Sequence, residues 1–179
     1  MNLFFIDIDP IKCAQYHCDK HVIKMLLESV QLLYTAHNIL KTKNMPDNSY
    51  KSVSFNHPIA IWVRTSKENY IFTVTLAIEL SKEYTHRYNK IHKCDQHLSW
   101  LSENIPNFVK VNYLDSTTIS YSKIIEEQGM TPFPLAMPDK CKCLDTIISY
   151  RKYYRTKLFA KWTKRPQPWW FYFKGILDI

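Results

Sequence analysis

The sequence predicts a mainly α protein: one compact helical domain, residues 1–179, with a short N-terminal strand and an aromatic C-terminal tail. Three observations predict it. Glycine occurs only at Gly129 and Gly175, and tight hairpins depend on glycine or asparagine, so few are expected. Apolar residues recur at three- and four-residue intervals over long stretches. The breaks between these stretches carry Pro, Asn and Asp, the turn formers of helical proteins. With 46% hydrophobic residues and no repeat or low-complexity tract, the chain has material for one sizeable core.

Residues 2–8 read as a short buried strand, an apolar run closed by Asp7, Asp9 and Pro10. Asp9 is placed to cap a helix that has Pro10 at its first position. From Ile11 to about Leu40, Ala14, Cys18, Val22, Met25, Leu26, Leu32, Leu33, Ala36 and Leu40 keep helical spacing and predict one long helix. Residues 41–55 are polar and read as a loop. Asn56-His57-Pro58 opens a short helical piece to Arg64, and Ser66-Lys67-Glu68 restarts a helix to about His92. Residues 99–111 fit neither helix nor strand clearly. Residues 117–139 hold Pro132, Pro134 and Pro138 and read as an irregular surface segment. Residues 144–161 form a third helical pattern, and the tail from Arg165 is dense in aromatics.

The chain carries 24 Lys and Arg against 16 Asp and Glu, a surplus of +8. Such a surplus attracts phosphate, although it also describes an ordinary charged surface. The opening residues lack a basic region before their apolar run, so no secretory leader is expected. No run approaches the length of a membrane-spanning helix, so no membrane partner is expected. Five cysteines without a secreted framework read as reduced thiols of a cytoplasmic protein.

His17, His21, Lys24, Glu28 and Gln31 follow one another at intervals of four, three, four and three residues. That spacing sets them along one helix face beside the apolar stripe. One reading is a solvated face with an incidental Lys24–Glu28 pair. The other is the wall of a cleft, because two histidines and a glutamine replace the usual Lys/Glu alternation. In that reading Glu28 is a general base or cation stabiliser, with Lys24 beside it. His21 is an acid, base or phosphate donor, because histidine titrates near working pH. Residues seven apart lie about 10 Å apart along a helix, close enough to flank one substrate group.

Asn56-His57-Pro58 with Arg64 forms a polar group at a helix start, either a phosphate-binding N-terminus or a simple cap. Residues 83–93 interleave bases and rings, with Tyr84, Arg87, Tyr88 and Lys93 as candidate nucleic-acid contacts. Arg151 in the stretch 150–155, Lys164 and Arg165 in 162–165, and Trp169 and Trp170 in the tail repeat the mixture. Lys20 joins His17, Gln31, Asn56, His57 and Arg64 on the candidate nucleic-acid surface. Packing in the core is the alternative for rings at helical spacing. The His17/His21 pair lacks the glutamate of the His-Glu-x-x-His motif, and Cys141-x-Cys143 is closer than the usual zinc spacing, so neither a metal nor another cofactor is expected. Phosphate-binding P-loop, dinucleotide and Gly-x-Ser-x-Gly motifs do not occur.

The segment Cys18-Asp19-Lys20-His21-Val22-Ile23-Lys24-Met25 resembles a family of small proteins encoded by bacteriophages and other large DNA viruses. So do Asn56-His57-Pro58 with Trp62 and Arg64, residues 83–93, Thr131-Pro132-Phe133, Ala136-Met137-Pro138-Asp139, Tyr150-Arg151 and Trp162-Thr163-Lys164-Arg165. The resemblance spans nearly the whole chain, and a viral origin would place the protein in the cytoplasm of the infected host. More distantly, the chain is similar to pyrimidine-dimer DNA glycosylases of the phage endonuclease V type. Their first helix carries a histidine and, seven residues later, an essential glutamate, matching His21 and Glu28. Their aromatic C-terminus follows an Arg-Pro, as in Arg165-Pro166.

This similarity implies a base-excision repair enzyme that flips a damaged or modified pyrimidine nucleotide out of duplex DNA. An N-terminal α-amine would attack the sugar, release the base and cut the strand through a Schiff base. In that family the amine belongs to a threonine exposed by loss of the initiator methionine. Asn2 is too large to favour that loss, so here the nucleophile would be the Met1 amine, Lys20 or Lys24. An enzyme acting on a nucleotide or modified base is a second reading of the stripe. A non-catalytic binder of nucleic acid or a host protein is a third.

Overall fold

The computed structural model describes residues 2–108 and 129–172. Among these residues seven α-helices and one 3-10 turn pack around a single contiguous core, and no strand forms. The helices are α1 (Pro10–Tyr16), α2 (Asp19–Ile39), α3 (Pro58–Val63), α4 (Lys67–Tyr88), α5 (Asp95–Glu103), α6 (Thr146–Arg155) and α7 (Trp169–Tyr172). The long helices α2 and α4 make the most extensive pairing. α1 lies on α4, α3 contacts both long helices, and α5 closes their far end. None of the described helices is long and apolar enough to cross a membrane.

Local chemistry sets the helix ends. The Asp9 carboxylate accepts the Ile11 N–H with Pro10 following it, and the Ser66 hydroxyl accepts the Asn69 N–H. Asn89 takes the left-handed conformation (φ 51°) and ends α4 four residues before Lys93, its N–H returning to the Thr85 carbonyl. The third helical pattern is real but shorter than its apolar spacing suggests: α6 stops at Arg155, and tight turns carry the chain through residues 156–163.

Two expectations are corrected. Residues 2–6 run through the core without regular secondary structure, and no strand lies alongside among the described residues, so they make no ladder. A tight backbone turn joins the Ile6 N–H to the Phe4 carbonyl, and side chains pair other groups: Glu28 takes the Asn2 N–H, Arg151 donates to the Ile6 carbonyl, and the Cys13 thiol donates to the Phe4 carbonyl. Leu3, Phe5 and Ile6 are fully buried. Each such side chain contributes about 1.5–3 kcal/mol relative to exposure. Phe5 packs between Phe72 and Phe133.

The single helix expected over 11–40 is two helices, broken at His17 and Cys18, which both adopt extended ψ values. Groups remote in sequence satisfy the new helix start. The Tyr154 hydroxyl accepts the Cys18 N–H, the Lys161 carbonyl accepts the Asp19 N–H, and Arg87 donates to the Asp19 carboxylate. Residues 109–111 and 117–128 of the ambiguous and irregular stretches lie outside the described residues, as do residues 173–179 of the tail.

Candidate functional site

Three successive turns of α2 present His21, Lys24 and Glu28 to one cavity of about 410 Å³. The opposite walls come from four other places in the chain. Asn2 and Phe4 arrive from the N-terminal segment, His57 from the cap of α3, and Ala136 from the proline-rich loop. Tyr153, Lys157 and Phe159 come from the end of α6 and the turn after it.

Glu28 is 8% exposed. Its Oε2 accepts the backbone N–H of Asn2 at 2.8 Å, and its Oε1 lies 3.6 Å from Lys24 Nζ. The Asn2 side chain fixes this approach, its amide donating to the Ala136 carbonyl and its oxygen accepting the Leu3 N–H. The carboxylate therefore sits against a fixed backbone donor and a largely exposed amine. That setting can stabilise a cationic intermediate or move a proton.

His21 is 6% exposed, stacked on Phe4 at 4.7 Å and edge-on to Phe159 at 5.2 Å. Its Nδ1 lies 2.8 Å from the Tyr154 hydroxyl, which already accepts the Cys18 N–H. With its oxygen already accepting the Cys18 N–H, the hydroxyl is placed to donate to Nδ1, and this assigns the Nε2–H tautomer. No described residue pairs with Nε2, the nitrogen left for the cavity. Burial, aided by His17, Lys157 and Lys24, lowers the pKa of His21 to about 3. The expectation that His21 titrates near working pH is thus corrected: it is a neutral N–H donor.

Lys157 rests its Nζ on the Tyr153 ring, 3.7 Å from the centroid, with Phe4 at 5.8 Å. No carboxylate pairs with it among the described residues. His57 lines the cavity with its ring, but its Nδ1 accepts the Ile59 N–H, so the start of α3 is a capped end rather than an anion site. Burial lowers the His57 pKa, opposed by the nearby Glu28.

The structure separates other sequence candidates from this cavity. His17 is fully buried at the end of α1, its Nδ1 on the Cys13 carbonyl, and burial lowers its pKa to about 4. It is out of reach of any surface ligand. Arg87 is buried as well, donating to Glu83, Asp19 and the Gln15 carbonyl. Arg165 forms a two-pronged pair with Glu83. Arg151 binds the Ile6 carbonyl and Asp7 and lies over Tyr16, Trp169 and Trp170. These three arginines are structural clamps rather than free phosphate contacts. Trp170 is fully buried, whereas Trp169 is 56% exposed.

Tyr88 donates its hydroxyl to the Asp19 carbonyl and stacks on Tyr84. Arg64 donates to the Phe55 carbonyl, and Gln31 is half-buried further along α2. Lys20, Asn56, Lys93 and Lys164 are exposed. Met1 lies outside the described residues.

Asn2, Phe4, Tyr153, Lys157 and Phe159 are site residues that sequence reasoning missed. The only signal for them was the basic-aromatic stretch around residues 150–155, read as a surface. None of the described cysteines forms a disulfide, and no group of three or more His, Cys, Asp or Glu side chains among the described residues is placed to hold a metal ion. Comparison with protein-family models, with curated proteins and with solved structures finds no match.

Proposed function

We propose that the protein is a DNA-processing enzyme of the glycosylase/AP-lyase type, acting on a damaged or modified pyrimidine in duplex DNA. The observation that carries this reading is the buried Glu28 carboxylate held between the Asn2 N–H and the Lys24 amine in an accessible cavity. Lys24 is the described amine best placed as nucleophile, since Lys20 sits outside the cavity lining, over Phe159.

Lys24 passes a proton to the adjacent Glu28 carboxylate, and its Nζ then attacks C1′ of an extruded nucleotide. The new C–N bond forms as the glycosidic bond breaks, and the base leaves with that electron pair and takes up a proton. Opening of the sugar ring gives a protonated Schiff base, whose positive charge faces Glu28. Removal of a C2′ proton then forms the C2′–C3′ double bond and expels the 3′ phosphate. His21 Nε2–H, two turns before Glu28 on α2, and Lys157 from the turn after α6 supply donors for a flanking phosphate.

Borohydride trapping on abasic and UV-irradiated duplexes tests the reading. A covalent adduct that maps to Lys24 is the expected result, and peptide mapping separates it from Lys20 and the Met1 amine. Glu28→Gln should slow turnover by about 10²–10⁴-fold, in the range of lost acid–base or charge stabilisation, and leave duplex affinity intact. Folded wild-type protein that neither cleaves nor traps on any of these substrates overturns the assignment.

A further inference from the structure

Leu158 lies in the turn between two residues that line the cavity, Lys157 and Phe159, with 98% of its surface exposed. Turn tips ordinarily carry Gly, Asn, Asp or Ser, for which exposure is free of cost. A single exposed leucine is unremarkable on most surfaces, but both chain neighbours of this one are cavity walls. Lys157 is seated on Tyr153, and the Phe159 ring lies edge-on to His21 and beneath Lys20 Nζ at 5.5 Å.

The turn between them is closed by backbone bonds from Leu158 to the Thr156 carbonyl and from Ala160 to the Lys157 carbonyl. Its far end is tied to α2, where the Lys161 carbonyl accepts the Asp19 N–H. Leu158 is therefore an apolar point on a braced turn. Its chain neighbours bring cations with them: Lys157 lines the cavity, and Lys20 lies above Phe159.

We infer that Leu158 is a wedge that enters the base stack of a duplex and fills the space left by the nucleotide extruded into the adjacent cavity. The inference rests on the DNA reading above. Apolar side chains flanked by cations suit this task, because Lys157 and Lys20 hold the phosphate backbone while the leucine replaces lost stacking contacts. Opening a duplex step costs a few kcal/mol, and an inserted side chain offsets part of it. Leu158 touches no reacting atom in this scheme; it is a positioning residue for the extruded nucleotide.

The test uses the full chain and a duplex with 2-aminopurine at, or paired opposite, the target position. Wild-type protein should raise 2-aminopurine fluorescence on binding. Leu158→Ser should keep the melting temperature, lose most of that rise, and cleave an abasic duplex about tenfold less well, a loss of the size expected for one unpaid opening step. Its cleavage of a single-stranded abasic oligonucleotide should be unchanged, since no stack has to be opened. Leu158→Met should restore both the rise and the duplex activity.

Equal fluorescence and an equal duplex-to-single-strand ratio for wild type and Leu158→Ser overturn the wedge and leave the enzymatic reading standing. A duplex opened by wild type and not by Leu158→Ser, yet never cut, supports the wedge and removes the lyase. Wild type that opens no duplex overturns the wedge.

Discussion

At Tyr154 one hydroxyl serves two elements: it accepts the N–H that starts α2 and donates to the ring of His21. The ring itself is fully buried. Burial, with the nearby His17, Lys157 and Lys24, holds His21 neutral, and this hydroxyl sets its tautomer by donating to Nδ1. Tyr154→Phe keeps the ring and leaves the Cys18 N–H and His21 Nδ1 unpaired. Buried groups left so cost about 1–3 kcal/mol in stability, read as a lower urea midpoint at unchanged slope. The same variant should mix the two neutral tautomers of His21, which long-range nitrogen–proton NMR distinguishes. Wild-type spectra with Nδ1–H, or a His21 titration near pH 6.5, would remove this account of the residue.

Among the elements, the join of α1, α2 and α4 depends on Arg87. Its side chain is 1% exposed and reaches Glu83 at 2.7 Å and Asp19 at 2.9 Å, while Arg165 closes on Glu83 from the tail. Burial pushes the Glu83 pKa up, but the Arg165 and Arg87 contacts overcome it and hold it below the usual value. Arg87→Met leaves buried acids short of a partner and should cost about 3–5 kcal/mol. Lys82→Ala, which breaks an exposed pair with Glu79, should cost under about 1 kcal/mol. Equal small losses in thermal unfolding would show that the buried network is not holding the helices.

The same element shows why sequence reading reached some features and not others. The caps at Asp9 and Ser66 and the piece 58–63 are local, and their signals lie within four residues. The Glu83–Arg87 spacing is also visible, but its burial depends on Asp19 and Arg165, each more than sixty residues away. Arg87 consequently looked like a surface cation. The break at His17–Cys18 is hidden for the same reason: apolar spacing runs through it, and Tyr154 and Lys161 stabilise it from the other end of the chain.

For the whole molecule, the half of the site that lies on one helix was legible, since His21, Lys24 and Glu28 obey helical spacing. The other half assembles from residues 2–4, 57, 136 and 153–159, a juxtaposition no periodicity encodes. The same global packing that builds the cavity also buries imidazoles, and this sets the protein's response to acid. His17, His21 and His37 are buried, and burial lowers their pKa values to about 4, 3 and 4 from an ordinary 6.5. His37 is held neutral between Thr42 and the Tyr70 hydroxyl.

In the unfolded chain these rings take protons near pH 6.5, while the folded protein excludes them until pH 4 or below. Between those values the unfolded state binds more protons, so stability is highest above pH 6.5 and falls as pH falls. Each group contributes up to about 1.4 kcal/mol per pH unit. Urea unfolding from pH 7.5 to 4.5 should therefore show a free energy that steepens below pH 6.5 toward a slope of at least about three protons near pH 5, to which His57, His92 and His97 add because burial lowers their pKa values too. His37→Gln should reduce that slope by about one proton while leaving the rest. A flat profile between pH 7 and 5 would mean that the folded protein protonates these rings as readily as the unfolded chain, and the neutral donor assigned to His21 in the cavity would fall with it.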